Sequence, residues 1–143
     1  MLTWTTYGTW LQGDERGYVK DGRVLAGSEG LALANRRLQL QGEVCLSKVQ
    51  RQAVREAILK EAIRQGHNVY AISVQATHTH IVLGWTMEAI EKVVAYYKTA
   101  GRLALKGMGC TGKVWTRGYD KRFCVDRASL RRRIEYVQSQ NPA

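Results

Sequence analysis

His78-Thr79-His80 sets two imidazoles two positions apart. On a β-strand such residues point to the same face, and two imidazoles side by side can hold one divalent cation. The plainer alternative is that one histidine bonds a neighbour while the other lies on the surface. A second feature follows later in the chain. Leu130, Ile134 and Val137 recur at helical spacing and form a stripe that must face a core. Tyr136 lies about 200° around from Ile134 at about 100° per residue, off that stripe. Gln140 falls one turn further along the face of Tyr136, and Arg132 one turn earlier. A tyrosine displayed beside an amide and an arginine suits a reactive group. A half-exposed ring packed on a neighbour is the ordinary alternative.

Charge narrows the partner. The 143 residues carry 22 Lys plus Arg against 12 Asp plus Glu, a formal net charge of +10. An excess of this size points to a polyanion, because each neutralised phosphate releases condensed counterions. No segment combines a strongly apolar helical face with a Lys/Arg-rich one, which favours nucleic acid over a membrane surface. Arg117, Lys121 and Arg122 are candidates for flanking phosphates, and Arg131-Arg132-Arg133 for a nucleic-acid backbone; a solvated basic face is the alternative for each. Trp4, Trp10, Trp85 and Trp115 could stack on unpaired bases, and one or two at most are expected to do so, since most tryptophans are core. The glycine-rich stretches 27–30 and 107–112 lack the G-x-x-x-x-G-K-[ST] form, so an NTPase reading fails.

With 45% apolar and 24% charged residues, the chain reads as one domain with one core. No stretch is apolar enough to span a membrane, and no signal peptide is read at the start, so a cytoplasmic protein is expected. Cys45, Cys110 and Cys124 are too scattered for a zinc pair and read as reduced, packed thiols. Leu2 to Leu11 is β-prone, and Gln12 to Gly30 reads as a long loop. Ser47-Lys48-Val49-Gln50 has the form of a capping box and opens a helix that Gly66 stops. Two strands follow, Asn68 to Gln75 and His78 to Trp85, expected as antiparallel neighbours. Thr86 is expected to cap a second helix running to about Leu105, with Tyr97 on its core stripe. Tyr97 is therefore read as core. Tyr96, a rival nucleophile, has no amide one turn on, and His67 reads as a loop histidine. Lys113 to Val125 reads as loop and strand, and Asp126 caps a last helix, 126–140, that bears Tyr136. The order implies an α+β fold, an antiparallel sheet covered by helices.

The string Gln75-Ala76-Thr77-His78-Thr79-His80-Ile81-Val82-Leu83 resembles the HUH motif of single-tyrosine transposases. Val114 to Asp120, then Ile134-Glu135-Tyr136-Val137 through Asn141-Pro142, is similar to the later signature of REP-associated tyrosine transposases, and Thr5 to Leu11 to their opening strand. The resemblance spans most of the chain and is weakest over 12–30. A tyrosine helix about fifty to sixty residues after the His pair is the family arrangement.

That resemblance implies a ferredoxin-like HUH endonuclease fold. It implies His78 and His80 as metal ligands, Tyr136 as nucleophile and Gln140 as third ligand, with Asn141 the competing choice. The usual middle residue of the motif is hydrophobic, whereas here it is Thr79, which would point away from the ligands. The implied activity is metal-dependent cleavage and rejoining of single-stranded DNA next to a hairpin, with Mg²⁺ or Mn²⁺ as cofactor and a 5′-phosphotyrosine intermediate. The protein would act as a monomer or a homodimer, in the bacterial cytoplasm and associated with the nucleoid. Two other readings stay open: a non-catalytic single-stranded nucleic-acid-binding protein on a similar sheet, and a metal phosphodiesterase that uses water.

Overall fold

The structure, a computed structural model, describes residues 1–9, 18–20, 23–25 and 42–141, the two short middle stretches by their backbone alone. Its elements are β1 (Leu2–Thr5), β2 (Tyr18–Lys20), β3 (Arg23–Leu25), α1 (Lys48–Gln65), β4 (Val69–Val74), β5 (His78–Leu83), α2 (Ile90–Gly107), β6 (Asp120–Lys121) and α3 (Arg127–Ser139). Trp10, Leu11, Pro142 and most of the 12–30 segment lie outside the described residues; within that segment β2 and β3 pair as a short antiparallel ribbon.

Local chemistry sets the helix ends. Ser47 caps α1 with its side chain on the Gln50 N–H while the Gln50 side chain returns to the Ser47 N–H, the reciprocal pairing expected of a capping box. Gly66 closes the helix at φ 73°, a left-handed conformation that costs glycine little. Asp126 caps α3 in the same reciprocal way with Ser129. The expectation for α2 needs correction. Its cap is Ala89, with no side-chain bond, and Thr86 instead accepts the Glu88 N–H one step earlier. Thr86-Met87-Glu88 is thus spent on a turn that redirects the chain out of β5.

The main sheet has four strands in the order β4-β5-β1-β6, with each neighbouring pair antiparallel. Apart from the β2–β3 ribbon, the chain runs β1-α1-β4-β5-α2-β6, and that path with this strand order is the ferredoxin-like split βαβ. The fold class is α+β, as expected from the sequence. α1 and α2 cover one face, where Leu2, Trp4, Ile72, Val74 and Ile81 meet Val54, Ile58, Val93, Tyr97 and Leu105. α3 covers part of the other, where Val137, Leu130 and Ile134 pack on Ala71 and Val82. The predicted stripe of α3 is therefore the one that is buried. α1 and α2 approach each other closely at Gly101, where an added Cβ would stand 3.2 Å from Cγ1 of Val54 and 2.9 Å from Cζ2 of Trp115.

Register decides what the α3 face carries. Ser73 pairs with His80, His80 with Thr3, and Thr3 with Asp120. Directly opposed residues of antiparallel strands point to the same side. Ser73, His80, Thr3 and Asp120 thus form one polar row across all four strands, on the face left partly open beside α3. Thr79, one position out of phase, turns to the helix-covered side and is fully buried, pointing away from the histidines as expected.

Candidate active site

β5 presents His78 and His80 side by side, with ring centroids 4.8 Å apart. His80 is the better anchored. Its Nδ1 meets the Thr3 hydroxyl at 2.8 Å, which leaves Nε2 as the ring nitrogen free of that bond. His78 Nδ1 has the Thr77 hydroxyl at 3.4 Å. Burial pushes the His80 pKa down to about 4; the neighbouring His78 adds to this and the Asp120 carboxylate opposes it. Burial also lowers His78. Both rings are therefore neutral at pH 7, the form in which imidazole binds a metal.

α3 brings Tyr136 over this pair. The ring of Tyr136 stands 5.5 Å from that of His80, centroid to centroid, at an interplanar angle of 69°. Tyr136 remains 46% exposed, so its hydroxyl is not committed to a core. Arg122 and Arg133 line the same polar cleft together with Thr3, His80, Asp120 and Tyr136. Asp120 and Arg122 are also in contact, with Nε 3.2 Å from Oδ2.

The far end of α3 is tied down by β4. Gln75 Nε2 donates to Ser73 Oγ at 2.6 Å and also to the main-chain carbonyl of Gln140. Asn141 Nδ2 donates to the Ile72 carbonyl at 3.3 Å. These bonds hold the last turn of α3 on the strand next to the histidines. Gln140 thus sits at the C-cap of the tyrosine helix, and the side-chain nitrogen of its rival Asn141 is engaged by β4.

Among the described residues no three His, Cys, Asp or Glu side chains converge in a way that could hold a metal ion. The donor set is two neutral imidazoles on one strand face, one of them oriented by Thr3. That chemistry fits a divalent cation as a pair of ligands, and further donors must be an amide, water or substrate oxygen.

Apart from Arg122, which lines the cleft, the remaining sequence candidates are dispersed. Lys121 and Arg122 lie on and just after β6, Arg117 is exposed on the loop before it, and Arg132 is exposed on α3, near enough to Asp126 to help lower its pKa. Tyr97 is buried as core, as expected. Tyr96 lies instead within reach of Glu88, whose carboxyl it helps hold below the usual range. His67 does lie in a loop, but its side chain is buried there, with Nδ1 2.5 Å from the Tyr97 hydroxyl and Nε2 3.1 Å from Glu88. All three cysteines are free thiols, but Cys45 is exposed rather than packed. Trp4 is buried and meets Trp115 edge to face, and Trp115 donates to the Lys98 carbonyl, so neither is available for stacking.

Asp120 and Thr3 were not singled out from the sequence, and Arg133 was read only as part of the run Arg131-Arg132-Arg133, as a backbone contact rather than a neighbour of the tyrosine. Arg133 precedes Tyr136 by three positions and so neighbours it on a helix as readily as Arg132 does. Asp120 lies on a two-residue strand, too short for any periodicity to mark.

No protein-family profile matches this chain, and no curated protein matches it. Among solved structures, the chain is similar to one described as a "putative transposase" from Deinococcus radiodurans R1, with a TM-score of 0.49 and 16% identity, over 99% of this chain and 89% of that one. No helix among the described residues is long and apolar enough to cross a membrane.

Proposed function

We propose that the protein is a metal-dependent endonuclease and strand transferase of the HUH transposase type, acting on single-stranded DNA through Tyr136. One observation carries the reading: a half-exposed tyrosine on α3 is held over the inner histidine of an H-x-H pair, in a cleft that also contains two arginines. A core tyrosine would be buried, and a surface tyrosine would have no reason to face a pair of neutral imidazoles.

His78 and His80 would hold Mg²⁺ or Mn²⁺, with Gln140 as the third ligand, and the bound cation would polarise the scissile phosphate. The protein groups do the rest. Arg122 and Arg133 bind non-bridging phosphate oxygens and place the phosphorus against the Tyr136 hydroxyl. A phenol keeps its proton at neutral pH, with a free value of about 10. Asp120 is the carboxylate among the residues lining the cleft, and it takes up that proton. The Tyr136 oxygen forms a bond to phosphorus while the bond to the 3′ oxygen breaks, and the leaving 3′ oxygen takes up, by way of solvent, the proton that Asp120 received. The product is a 5′-phosphotyrosine and a free 3′-hydroxyl. Attack by a second 3′-hydroxyl reverses the step, restores the phenol and joins a new strand, because the phosphoester is conserved in the link.

The test is an adduct assay on denaturing gels. End-labelled single-stranded DNA bearing a hairpin from beside the gene is incubated with protein and Mn²⁺, next to Tyr136→Phe and EDTA controls. A denaturant-resistant labelled protein band, lost in both controls, is the expected result. Cleavage that leaves no adduct and survives Tyr136→Phe would mean that water is the nucleophile. Binding without any cleavage on hairpin substrates would favour the binding-protein reading.

A further inference from the structure

The polar cleft at Tyr136 does not end at Arg122. Met1 and Arg122 line it on one side and, on the other, line a second and larger groove of about 580 Å³ at the end of the sheet. That volume lies within the range of roughly 300–1,000 Å³ typical of sites for organic ligands. Its walls are aromatic and aliphatic, with Trp85, Phe123, Tyr70 and Leu83 among them, and Lys121 and Arg122 supply positive charge. Two of these aromatics are unusually open. Trp85 is 87% exposed and Phe123 69% exposed, although each lies on a groove wall. Glu88, on the same wall, is engaged by His67.

We infer that this groove is a base-binding subsite, in which one or more unpaired nucleobases flanking the reacting phosphate stack on Trp85 and Phe123 while Lys121 and Arg122 meet the adjoining phosphates. The inference rests on the strand-transferase reading for the direction of the DNA, and the charge and geometry of the groove supply the rest. Exposed rings with cations beside them are the recurring means of holding single strands, since every base offers a π-face and every nucleotide a phosphate. Shared residues make the groove continuous with the cleft, so a strand with its phosphate at Tyr136 passes Arg122 and enters it. A second copy of this chain is the less fitting occupant, because it would bring another net charge of +10 toward Lys121 and Arg122. Of the four tryptophans, the structure leaves Trp85 as the exposed one among those it describes.

The experiment separates this inference from the cleavage chemistry. Binding of a short fluorescein-labelled oligothymidylate is measured by anisotropy in the Tyr136→Phe background with EDTA, so that neither nucleophile nor metal contributes. Trp85→Ala and Phe123→Ala are each expected to weaken binding by about 10-fold, and Trp85→Phe to restore most of the loss. Both side chains are solvent-exposed, and circular dichroism verifies that the variants stay folded. Unchanged affinity in both alanine variants overturns the inference. So does a loss of self-association in Trp85→Ala, read by sedimentation, with DNA affinity unchanged; the groove would then be an interface between copies. If binding depends on Trp85 but the Tyr136 protein forms no adduct, the subsite stands and the transferase reading fails. If the parent binds no oligothymidylate, the subsite fails, and the adduct assay on hairpin DNA alone decides the transferase reading.

Discussion

The Thr3 hydroxyl and His80 Nδ1 are 2.8 Å apart, a contact between residues 77 positions apart in the chain, made because β1 and β5 pair in register. That bond fixes the orientation of the imidazole whose other face looks toward Tyr136. If the His pair is a metal site, Thr3 is its supporting partner. Isothermal titration with Mn²⁺ should show binding abolished in His80→Ala. Thr3→Val should retain the fold and lose about 10-fold in affinity, the scale of a lost outer-shell bond. Equal affinity in Thr3→Val and the parent would remove Thr3 from the site.

The depressed pKa of His80 links pH to stability. Burial holds the folded value at about 4, against an ordinary 6.5. Between those values the unfolded chain binds a proton that the folded chain does not. The stability of the metal-free protein therefore falls as pH drops from about 6.5 to about 4, and the loss is absent above that window. Urea midpoints across the window should show this slope, and His80→Asn should flatten it. The same slope in both proteins would place the titrating group elsewhere.

Thr79 has a fully buried hydroxyl with no hydrogen-bond partner among the described residues, on the side of β5 away from the histidines. Replacing it by an isosteric methyl removes an unpaired polar group without opening a cavity. Thr79→Val should raise stability by about 1 kcal/mol and leave Mn²⁺ binding as it was. Destabilisation on thermal melting would mean that the hydroxyl is satisfied after all.

Gly101 sits within α2, where alanine would ordinarily be favoured by about 1 kcal/mol. Here the added methyl meets the Trp115 ring at 2.9 Å and Val54 Cγ1 at 3.2 Å, side chains that are part of the packed layer. Overpacking should win, and Gly101→Ala should cost about 1–3 kcal/mol. Trp115→Phe, with its smaller ring, should relieve part of that cost when the two are combined. A stabilised Gly101→Ala would show that the two helices and Trp115 have room to separate.

The local features of this protein are legible in the chain alone. The Ser47 and Asp126 caps, the Gly66 stop, the stripe of Leu130, Ile134 and Val137, and the common face of His78 and His80 all follow from interactions within a few residues or from a fixed period. The exposure of Tyr136 was readable for the same reason: it is the complement of that stripe. Thr86 misled because its hydroxyl can close a turn as readily as cap a helix, and the direction of the chain leaving β5 decides between the two. Tertiary structure alone decided which distant groups meet. Thr3 and Asp120 join His80 only through strand register, which no local pattern encodes, and Arg133 rather than Arg132 lines the cleft because of how α3 lies on the sheet. His67, read as an ordinary loop residue, gained Tyr97 and Glu88 as partners because the end of α1 packs beside the start of α2. Trp85 was one of four equivalent tryptophans until packing consumed Trp4 and Trp115 and left it open. Periodicity reports which face of an element is buried, but which other element buries it, and which side chains it meets there, is set by contacts far apart in the chain.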